Sequence, residues 1–346
     1  MRHASSVRGT FAFTIAMVVG CSGASAPSTR PSLVTQQAAA PPGVSAAQVA
    51  ATRQSTANRE RRVSWMAPDA KKKDLLYISD VSDNEVTVYS YPPGQLEGTL
   101  TGFDVPTGLC SDKAGDVFVT DFEGSEILEY AHGGTTPIAT LTDPGQWPSG
   151  CSVDPTTGNL AVSNDETPSI GEGNLAIYAN ARGTPVTYTN PNMFYYFFCS
   201  YDNSGNLNVD GFSSTYVTQV AELSKGSASL TSITLNQSIV YPTGIQWDGK
   251  YVAIGQQSPE VVFEFQFTGS GGTLEGTTDL TGAQDVVQFS ISRTSGGGHS
   301  QRTRLIGPDL NGEDVAFFHY PAGGSPSKTI TDAVSGPYGS TISRAK

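Results

Sequence analysis

The chain has 346 residues and a net charge of −12 that is unevenly distributed. Residues 1–73 carry 10 Lys and Arg against 2 acidic residues, whereas residues 74–346 carry 10 against 30, a net charge of −20. A globular part this acidic repels nucleic acid, whose binding proteins present basic surfaces, and after residue 20 no segment is apolar enough to cross a membrane. We therefore expect no nucleic-acid partner.

The first 20 residues have the pattern of an export signal. Arg2 and Arg8 form a basic start, and an apolar stretch too short to span a bilayer follows. It ends in Val18-Val19-Gly20-Cys21, which resembles the lipobox of bacterial lipoproteins. That resemblance implies a signal peptide over residues 1–20, lipidation of Cys21 and, because Ser22 follows, anchoring in the outer membrane of the cell envelope. An ordinary cleaved signal is the alternative.

Residues 21–73 are predicted to be a flexible tether. Ser, Ala, Pro, Gln and Thr dominate the segment, and such a composition cannot bury enough apolar surface to offset its chain entropy. Its basic residues are expected to lie near an anionic membrane surface. Trp65 and Met66 are its first apolar anchors and are expected to pack on the globular part.

An internal repeat defines residues 74–346. The motif Pro-x-Gly-x-x-x-Asp occurs at Pro106–Asp112, Pro148–Asp154 and Pro242–Asp248, and a turn and an apolar strand follow it. Repeats of about 40–50 residues with four short strands are typical of β-propeller blades. The pattern alternates with period two and shows no helical periodicity, so the fold is predicted to be all-β.

Six blades of four antiparallel strands account for the length of this region. The second strands of the blades are predicted at Leu75–Asp80, Val117–Asp121, Leu160–Asn164, Leu207–Gly211, Tyr251–Gly255 and Arg304–Gly307. The chain therefore enters the first blade at its second strand. Pro337–Ser343 matches the Pro-x-Gly strand and is expected to supply the missing inner strand, which closes the ring and hides an open sheet edge.

The Pro-x-Gly-x-x-x-Asp motif, with the Val-Phe-Val-Thr-Asp strand that ends at Asp121, resembles the NHL-repeat propellers. Their superfamily includes gluconolactonase-like and streptogramin-lyase-like propellers, and the resemblance covers residues 74–346. It is specific for architecture and not for activity, because propellers carry unrelated functions.

In gluconolactonase-like enzymes, a Glu, Asn and Asp set at the upper channel mouth holds a divalent cation. The resemblance therefore makes Asp80, Asp121, Asn164 and Asp210 candidate ligands of Ca²⁺ or Mg²⁺, which prefer oxygen ligands. The preferred interpretation is that these short polar side chains cap turns instead. The predicted ring of ligands is also incomplete, because Gly211 and Gly255 fill the equivalent positions of two blades.

No catalytic residue is predicted. His3 falls in the signal, His132 and His319 at the lower rim, and His299 in a Gly-rich loop. Triad or lyase chemistry needs a histidine base at the channel mouth, and the sequence predicts no histidine there.

The cysteines and one aromatic run leave alternatives open. Register places Cys110 and Cys151 on facing sides of adjacent inner strands, so they either form a disulfide or, as we prefer, remain free buried thiols together with Cys199. The run Phe194–Phe198 is expected to pack between blades. Alternatively, Phe194, Tyr195 and Tyr196 line the mouth as a ligand-binding platform.

The sequence thus predicts a membrane-tethered, extracytoplasmic propeller that acts as a binding or scaffold module for a protein or small molecule. A metal-dependent hydrolase or lactonase of the gluconolactonase-like type, with Asp80, Asp121 and Asn164 at its cation, is the alternative. The third hypothesis is a purely structural protein of the cell envelope.

Overall fold

The computed structural model describes residues 63–92, 94–169, 171–294 and 302–346. The predicted signal peptide, Cys21, residues 21–62 of the predicted tether and His299 lie outside these ranges. Within them, no helix is both long and apolar enough to cross a membrane.

The described residues form six antiparallel blades around one axis, which confirms the predicted six-bladed β-propeller. In blades 1 to 6 the inner strands are Pro337–Ser343, Pro106–Ser111, Pro148–Val153, Tyr195–Tyr201, Pro242–Trp247 and Ser290–Thr294. The second strands are Leu75–Asp80, Val117–Asp121, Leu160–Glu166, Leu207–Phe212, Val252–Gln256 and Arg302–Asp309. The third strands are Glu85–Ser90, Glu126–Tyr130, Glu172–Tyr178, Thr218–Leu223, Val261–Thr268 and Asp314–His319. The outer strands are Leu96–Thr101, Pro137–Thr142, Val186–Tyr188, Thr231–Ser232, Gly271–Asp279 and Lys328–Ile330.

Two blades carry a fifth strand. Thr234–Leu235 pairs in parallel with the outer strand of blade 5. Trp65–Met66 pairs antiparallel with the outer strand of blade 1, and Ala70–Lys72 forms a short 3₁₀ helix after it. The predicted packing of Trp65 and Met66 on the propeller is therefore confirmed, and residues 63–73 of the predicted tether lie on blade 1.

The C-terminal strand closes the ring as the repeat phase predicts. Pro337–Ser343 pairs antiparallel with Leu75–Asp80, with Ser343 opposite Leu75 and Pro337 opposite Asp80. Blade 1 is thus built from both ends of the described chain, and its inner and second strands each gain a partner that they would otherwise lack.

Close approach of neighbouring inner strands explains the Gly of the Pro-x-Gly motif. A Cβ on Gly108 would lie 2.6 Å from the Cα of Gly150 in the next blade, and a Cβ on Gly339 would lie 2.5 Å from the carbonyl oxygen of Thr107. A Cβ on Gly244 would lie 3.0 Å from the carbonyl oxygen of Val287. A larger residue at these positions would push the inner strands of adjacent blades apart.

Blades 4 and 6 place large side chains at the same position. Phe198 of blade 4 lies with its ring centroid 6.1 Å from that of Tyr338, in the middle of the largest buried apolar cluster. Gln288 of blade 6 passes over Gly339 to blade 2, where its amide accepts a hydrogen bond from Leu109 N (2.8 Å) and donates one to Leu109 O (3.0 Å). The centre of the ring is therefore packed with side chains.

A disulfide joins the inner strands of blades 2 and 3. Cys110 and Cys151 are bonded with their Cα atoms 5.6 Å apart, whereas Cys199 is a free, buried thiol. The expectation of three free thiols was wrong for this pair. The register of the repeat had placed the two cysteines on facing sides of adjacent inner strands. In the structure they lie within bonding distance at these positions.

Candidate binding surface at the upper mouth of the ring

The upper face of the propeller is the face where second strands end and inner strands begin. The residues at the equivalent position near the upper end of the second strand, in blades 1 to 6, are Asp80, Asp121, Asn164, Gly211, Gln256 and Asp309; they pair with Pro337, Pro106, Pro148, Tyr196, Pro242 and Val286. The sequence assignment of Gly255 to this position was wrong by one residue, and Asp309 was missed because the sixth second strand is longer than predicted.

The Asp residues in this set hold the upper loops in place. Asp80 accepts hydrogen bonds from the backbone N–H groups of Ser335 (2.7 Å) and Gly336 (3.0 Å), which lead into the inner strand of the same blade. Asp121 accepts the N–H of Asp104 with both carboxylate oxygens, at 2.7 and 2.9 Å. Asp309 does the same for residues 284 and 285. Each carboxyl group therefore fastens the entry of an inner strand to the end of the second strand.

The other two predicted metal ligands have different environments. Asn164 is fully buried, and its Nδ2 donates to Asn174 Oδ1 at 3.0 Å. Asp210 is also fully buried and accepts the N–H of Phe198 at 3.0 Å, while its second oxygen has no hydrogen-bond partner. Burial raises the pKa of Asp210 well above its ordinary value.

These contacts bear on the cation that the resemblance implies. Among the described residues, no group of three or more His, Cys, Asp and Glu side chains is arranged to hold a metal ion. A cation at Asp80 or Asp121 would also have to displace backbone N–H donors. The donor set therefore fits a divalent cation poorly, and the site stays a prediction.

The structure separates the three aromatic candidates. The ring of Tyr195 stacks on Tyr216 with centroids 5.5 Å apart and meets Phe194 edge-on at 4.8 Å. Tyr195 and Tyr216 also share a hydrogen bond between their hydroxyl groups at 3.2 Å. Tyr196 points to the other side of the strand, where it is fully buried and its hydroxyl accepts the N–H of Asn190 at 2.7 Å. Tyr196 is therefore part of the inter-blade core.

The accessible aromatic side chains belong to a larger surface, which we name the aromatic patch. Its members lie in the upper loops of blade 4 and in the loop that connects blade 4 to blade 5. They are Phe194, Tyr216, Val217, Val240 and Tyr241. Tyr216, Val217 and Val240 are 62, 57 and 56% exposed, whereas the other two are half-buried. Phe212 supports the patch from below, edge-on to Tyr216 and Tyr241.

A side-chain contact joins the two loops of the patch. Thr218 Oγ1 donates to the carbonyl oxygen of Ile239 at 2.7 Å, which holds the hairpin with Tyr216 and Val217 against the loop with Val240. Sequence reasoning missed Tyr216, Val240 and Tyr241. The sequence marks them only as apolar residues in upper loops: Tyr241 directly precedes the Pro-x-Gly motif, and Tyr216 lies in the hairpin after the second strand of blade 4.

Carboxylates occupy the upper loops on the other side of the ring. Four acidic residues of blades 1, 2 and 6 lie there with their side chains exposed or half-exposed, and we name them the acidic rim: Asp83, Asp104, Glu123 and Glu313. The upper face therefore has an apolar side and a negatively charged side.

The two described histidines lie away from this face. His132 follows the third strand of blade 2 at the lower end, and its Nδ1 is 2.6 Å from Ser343 Oγ. Burial lowers the pKa of His132, so the neutral form is favoured. His319 ends the third strand of blade 6, also at the lower end.

No protein-family model and no curated protein matches the chain. Solved structures do match its fold. The structure titled as a nidogen/laminin complex is similar with a TM-score of 0.60 and 14% identity over 79% of this chain and 99% of that chain. A functionally unknown protein from Desulfotomaculum acetoxidans DSM 771 is similar with a TM-score of 0.55 and 11% identity, over 79% of this chain and 100% of that chain. At such low identity these likenesses show the fold alone.

Proposed function

We propose that this chain is an extracytoplasmic propeller, anchored to the membrane through a lipid on Cys21, that acts as a binding or scaffold module. The observation that supports this most directly is the aromatic patch. Contiguous exposed apolar surface with a polar border is typical of an interaction site. Aromatic side chains on two loops, held by Thr218 and supported by Phe212, offer a pre-formed contact surface.

The charge of the upper face favours a particular kind of partner. The acidic rim lies across the mouth from the aromatic patch, and residues 74–346 carry a net charge of −20. A protein segment with apolar side chains next to Lys or Arg complements both halves of this face. The carboxylates would accelerate encounter, while the buried apolar contact would supply most of the affinity.

The disulfide supports the proposed compartment. Disulfides persist in oxidising compartments such as the bacterial periplasm and the cell surface, and Cys110–Cys151 is buried between two blades. An envelope protein anchored in the outer membrane fits this requirement. The lipobox-like Val18–Cys21 would supply the anchor.

Site-specific photo-crosslinking in cells tests the binding surface. A benzophenone amino acid replaces Tyr216 or Val240 in the aromatic patch, and Ile138 or Val186 as matched controls. The controls are 54 and 61% exposed apolar residues on the outer strands of blades 2 and 3. We expect one discrete protein adduct from the two patch positions, sensitive to salt because of the acidic rim.

A second variant tests whether the crosslinked protein contacts the aromatic patch. Val217→Asp places a charge in the middle of the aromatic patch and is expected to abolish the adduct formed at Val240 without changing the melting temperature. Equal adducts from the control positions, or an adduct that persists in Val217→Asp, would contradict a protein-binding role of this surface.

The anchor has its own test. Cys21→Ser is expected to give a chain without the mass of a lipid, which no longer fractionates with the membrane. If the mass and the membrane fraction were unchanged, Cys21 would not be the anchoring residue. Photo-crosslinking and fractionation are independent readouts, so one part of the proposal can fail without the other.

The hydrolase alternative rests on Asp80, Asp121 and Asn164 as cation ligands. It requires that Ca²⁺ stabilise the fold and so raise the melting temperature. At a Ca²⁺ concentration of a hundred times the dissociation constant, the gain in the free energy of unfolding would be about 2.7 kcal/mol. Asp121→Ala would have to abolish that gain. Because Asp80 and Asp121 already accept backbone N–H groups, we expect neither EDTA nor Ca²⁺ to change the melting temperature.

A further inference from the structure

The lysines and arginines of the described residues all lie in the lower half of the ring. Inner and third strands run from the upper to the lower face, and second and outer strands run back. Lys113 and Lys250 therefore occupy lower turns between inner and second strands, Lys225 follows a third strand, and Lys328 begins an outer strand. The upper face of the described chain thus carries carboxylates without lysine or arginine, whereas the lower face carries both signs of charge.

The lower rim of blades 6, 1 and 2 holds a group of exposed ammonium groups, which we name the lysine face. Its members are Lys71, Lys72, Lys113, Lys328 and Lys346. None of the five forms an ion pair within the described part of the chain. Their positive charges therefore remain available to a partner.

The lysine face continues across the blade boundaries. A Cβ on Gly133, in the lower hairpin of blade 2, would lie 2.9 Å from Lys71 Cγ, so Lys71 lies between blades 1 and 2. A Cβ on Gly94, in the lower hairpin of blade 1, would lie 3.0 Å from Lys328 Nζ, so Lys328 lies between blades 6 and 1. The positive charges thus follow one another along the rim of three neighbouring blades.

Other basic residues compensate the carboxylates of blade 1 at this rim. Lys73 lies between Asp69, at 3.1 Å, and the buried Glu97, at 2.8 Å. Arg344 forms an ion pair with Asp74 at 2.6 Å. The charge that remains exposed at the lower end of blade 1 is therefore that of its lysines.

The lower turn of blade 2 keeps two half-buried carboxylates beside Lys113, those of Asp112 and Asp116. Asp112 accepts the N–H of Asp116 at 2.8 Å, and the ammonium group of Lys113 donates instead to the carbonyl oxygen of Pro155 in blade 3. These carboxylates reduce the positive charge of the lysine face, but they form no ion pair with its members within the described residues.

The lower rim of blades 3 to 5 has a different balance of charge. Its exposed lysines, Lys225 and Lys250, share this rim with Asp154, Asp202 and Asp248 in the lower turns. Here the carboxylates outnumber the ammonium groups, so the basic surface is confined to blades 6, 1 and 2. The two lysines provide a matched control for the lysine face.

The spread of the lysine face fits an extended anionic surface. Its members come from separate lower loops, and an ammonium group is a point charge with few geometric demands on the phosphate that it meets. A lipid bilayer with many phosphate groups can contact all of these loops at once, whereas a single phosphate ion cannot. Arg59, Arg61 and Arg62, which precede the described chain, would be attracted to the same surface.

The height of the ring separates its two charged faces. Pro337–Ser343 has seven residues, which span about 20 Å at about 3.3 Å per residue. The screening length at physiological ionic strength is about 8 Å. When the lysine face touches a membrane, the acidic rim is therefore more than two screening lengths away. The inverted orientation would bring the carboxylates of the acidic rim against the anionic lipids.

We propose that the lysine face docks on an anionic lipid membrane and so orients the ring, with the aromatic patch and the acidic rim turned away from the bilayer. This adds a second surface to the proposed function and rests on it only for the nearby membrane. Each lysine at the surface contributes about fivefold to the partition between membrane and solution.

Vesicle co-sedimentation of the chain from Ser22 to Lys346 tests the docking. This chain contains every strand of the closed ring, but it lacks the apolar segment before Cys21 and Cys21 itself, so it meets the vesicle without a lipid anchor. The probes are vesicles of phosphatidylcholine with phosphatidylglycerol and vesicles of phosphatidylcholine alone. We expect binding to the anionic vesicles that weakens as the salt concentration rises, and no binding to the neutral ones.

Two matched double variants locate the surface. Lys71→Gln/Lys328→Gln removes two charges from the lysine face and should weaken binding about twenty-five-fold, at about fivefold per lysine. Lys225→Gln/Lys250→Gln removes two charges from the rim of blades 3 to 5 and should weaken binding by less than about twofold, because these lysines lie outside the contact. All four side chains are exposed, so the melting temperatures should stay unchanged.

Photo-crosslinking to lipid measures the orientation. A benzophenone amino acid replaces Lys346 at the lower rim or Ser214 in the upper hairpin of blade 4, and both positions are exposed. We expect lipid adducts from the lower position and none from Ser214. This measurement does not depend on the double variants.

Four outcomes would overturn the proposal. An equal loss of binding in the two double variants would show an effect of net charge alone, and lipid adducts from Ser214 as strong as those from Lys346 would contradict the orientation. Release by inorganic phosphate at constant ionic strength would assign the lysines to a free phosphate ion. Tighter binding to heparin than to vesicles would assign them to a soluble polyanion. The protein adducts expected from the aromatic patch are a separate readout, so either proposal can fail without the other.

Discussion

Blades 2 and 3 follow the repeat, whereas blade 4 departs from it at the positions that meet the centre. Blades 2 and 3 have Gly108 and Gly150 where blade 4 has Phe198. At the end of the second strand, Asp121 of blade 2 fastens an upper loop, whereas Gly211 of blade 4 leaves that position without a side chain. The regular positions thus bring neighbouring strands together and hold loops.

The departures in blade 4 build the upper surface. A side chain on Gly211 would collide with the backbone of Tyr195, so Gly allows that backbone to approach the second strand. Tyr195 then stacks on Tyr216, and Phe198 fills the space at the axis beside Tyr338. The comparison indicates that the repeat encodes the ring, while the blade that deviates most carries the candidate binding surface.

The largest expected effect is at ring closure, where a regular Pro-x-Gly strand completes blade 1. Deletion of residues 337–346 removes Tyr338 and exposes the second strand Leu75–Asp80 along its whole edge. We expect aggregation, or loss of a cooperative transition in thermal unfolding. Deletion of Lys346 alone, an exposed residue outside the strand, is the control and should unfold as the full chain does.

Phe198→Ala makes blade 4 more similar to the regular blades at the axis. The ring of Phe198 is 1% exposed, so its removal leaves a cavity beside Tyr338, and we expect a loss of about 3–5 kcal/mol in the free energy of unfolding. Chemical unfolding measures this loss in the free energy of unfolding. A loss below about 1 kcal/mol would show that the centre of the ring does not depend on this departure from the repeat.

The disulfide reinforces the regular side of the ring. Cys110 and Cys151 are 41 residues apart, and closing a loop of that length stabilises a fold by about 3–4 kcal/mol. We expect a reductant to lower the melting temperature of the wild type. It should not lower that of the Cys110→Ala/Cys151→Ala variant, which separates reduction of this bond from other effects. An equal shift in both proteins would contradict the role given to the disulfide.

Gly108→Ala tests the close approach directly. The new Cβ would lie 2.6 Å from the Cα of Gly150, so the inner strands of blades 2 and 3 must separate, at a cost of about 2–3 kcal/mol in chemical unfolding. Gly271→Ala in the outer strand of blade 5 is the matched control, because its nearest neighbour is 3.6 Å away. Its effect should stay within about 0.5 kcal/mol. Similar costs in the two variants would refute the explanation of the motif.

Periodicity and the repeat motif were sufficient to predict the architecture, the order of strands and the closure by Pro337–Ser343. They failed where the repeat loses its motif. In blade 6 the strand that ends at Asp309 was cut short at Gly307, although Asp309 and Asp314 keep the five-residue spacing of Asp121 and Glu126. That spacing was the available signal, because the two residues face each other across a hairpin.

The candidate surfaces were harder to predict because they depend on which loops meet. Tyr216 lies in the hairpin after the second strand of blade 4 and Val240 in the connection to blade 5, and the contact of Thr218 with Ile239 joins the two loops. Of the predicted platform of Phe194, Tyr195 and Tyr196, only Phe194 belongs to the aromatic patch, because Tyr195 and Tyr196 are buried and side-chain alternation along the strand sends them to opposite sides.

The smallest expected effect, counted per pH unit, concerns the charge of the loop anchor in blade 2, which Gly211 of blade 4 does not provide. Burial raises the pKa of Asp121 to about 8, against about 3.9 for an unfolded chain. Between these pH values the folded protein keeps a proton that the unfolded chain has released. The stabilisation is therefore fully present below about pH 4 and is lost as the pH rises through about 8, by at most about 1.4 kcal/mol per pH unit.

Urea unfolding at several pH values between 5 and 8 measures this slope. The free energy of unfolding of the wild type should fall as the pH rises, and Glu260 and Asp285 should add to the slope, because burial raises their pKa values to about 8 and about 7. Asp121→Asn cannot ionise, so its slope should be shallower than that of the wild type. Glu172→Gln, at an exposed position, should keep the wild-type slope. If Asp121→Asn kept it as well, the Asp121 carboxyl group would be ionised in the folded ring, and its two contacts with the N–H of Asp104 would outweigh its burial.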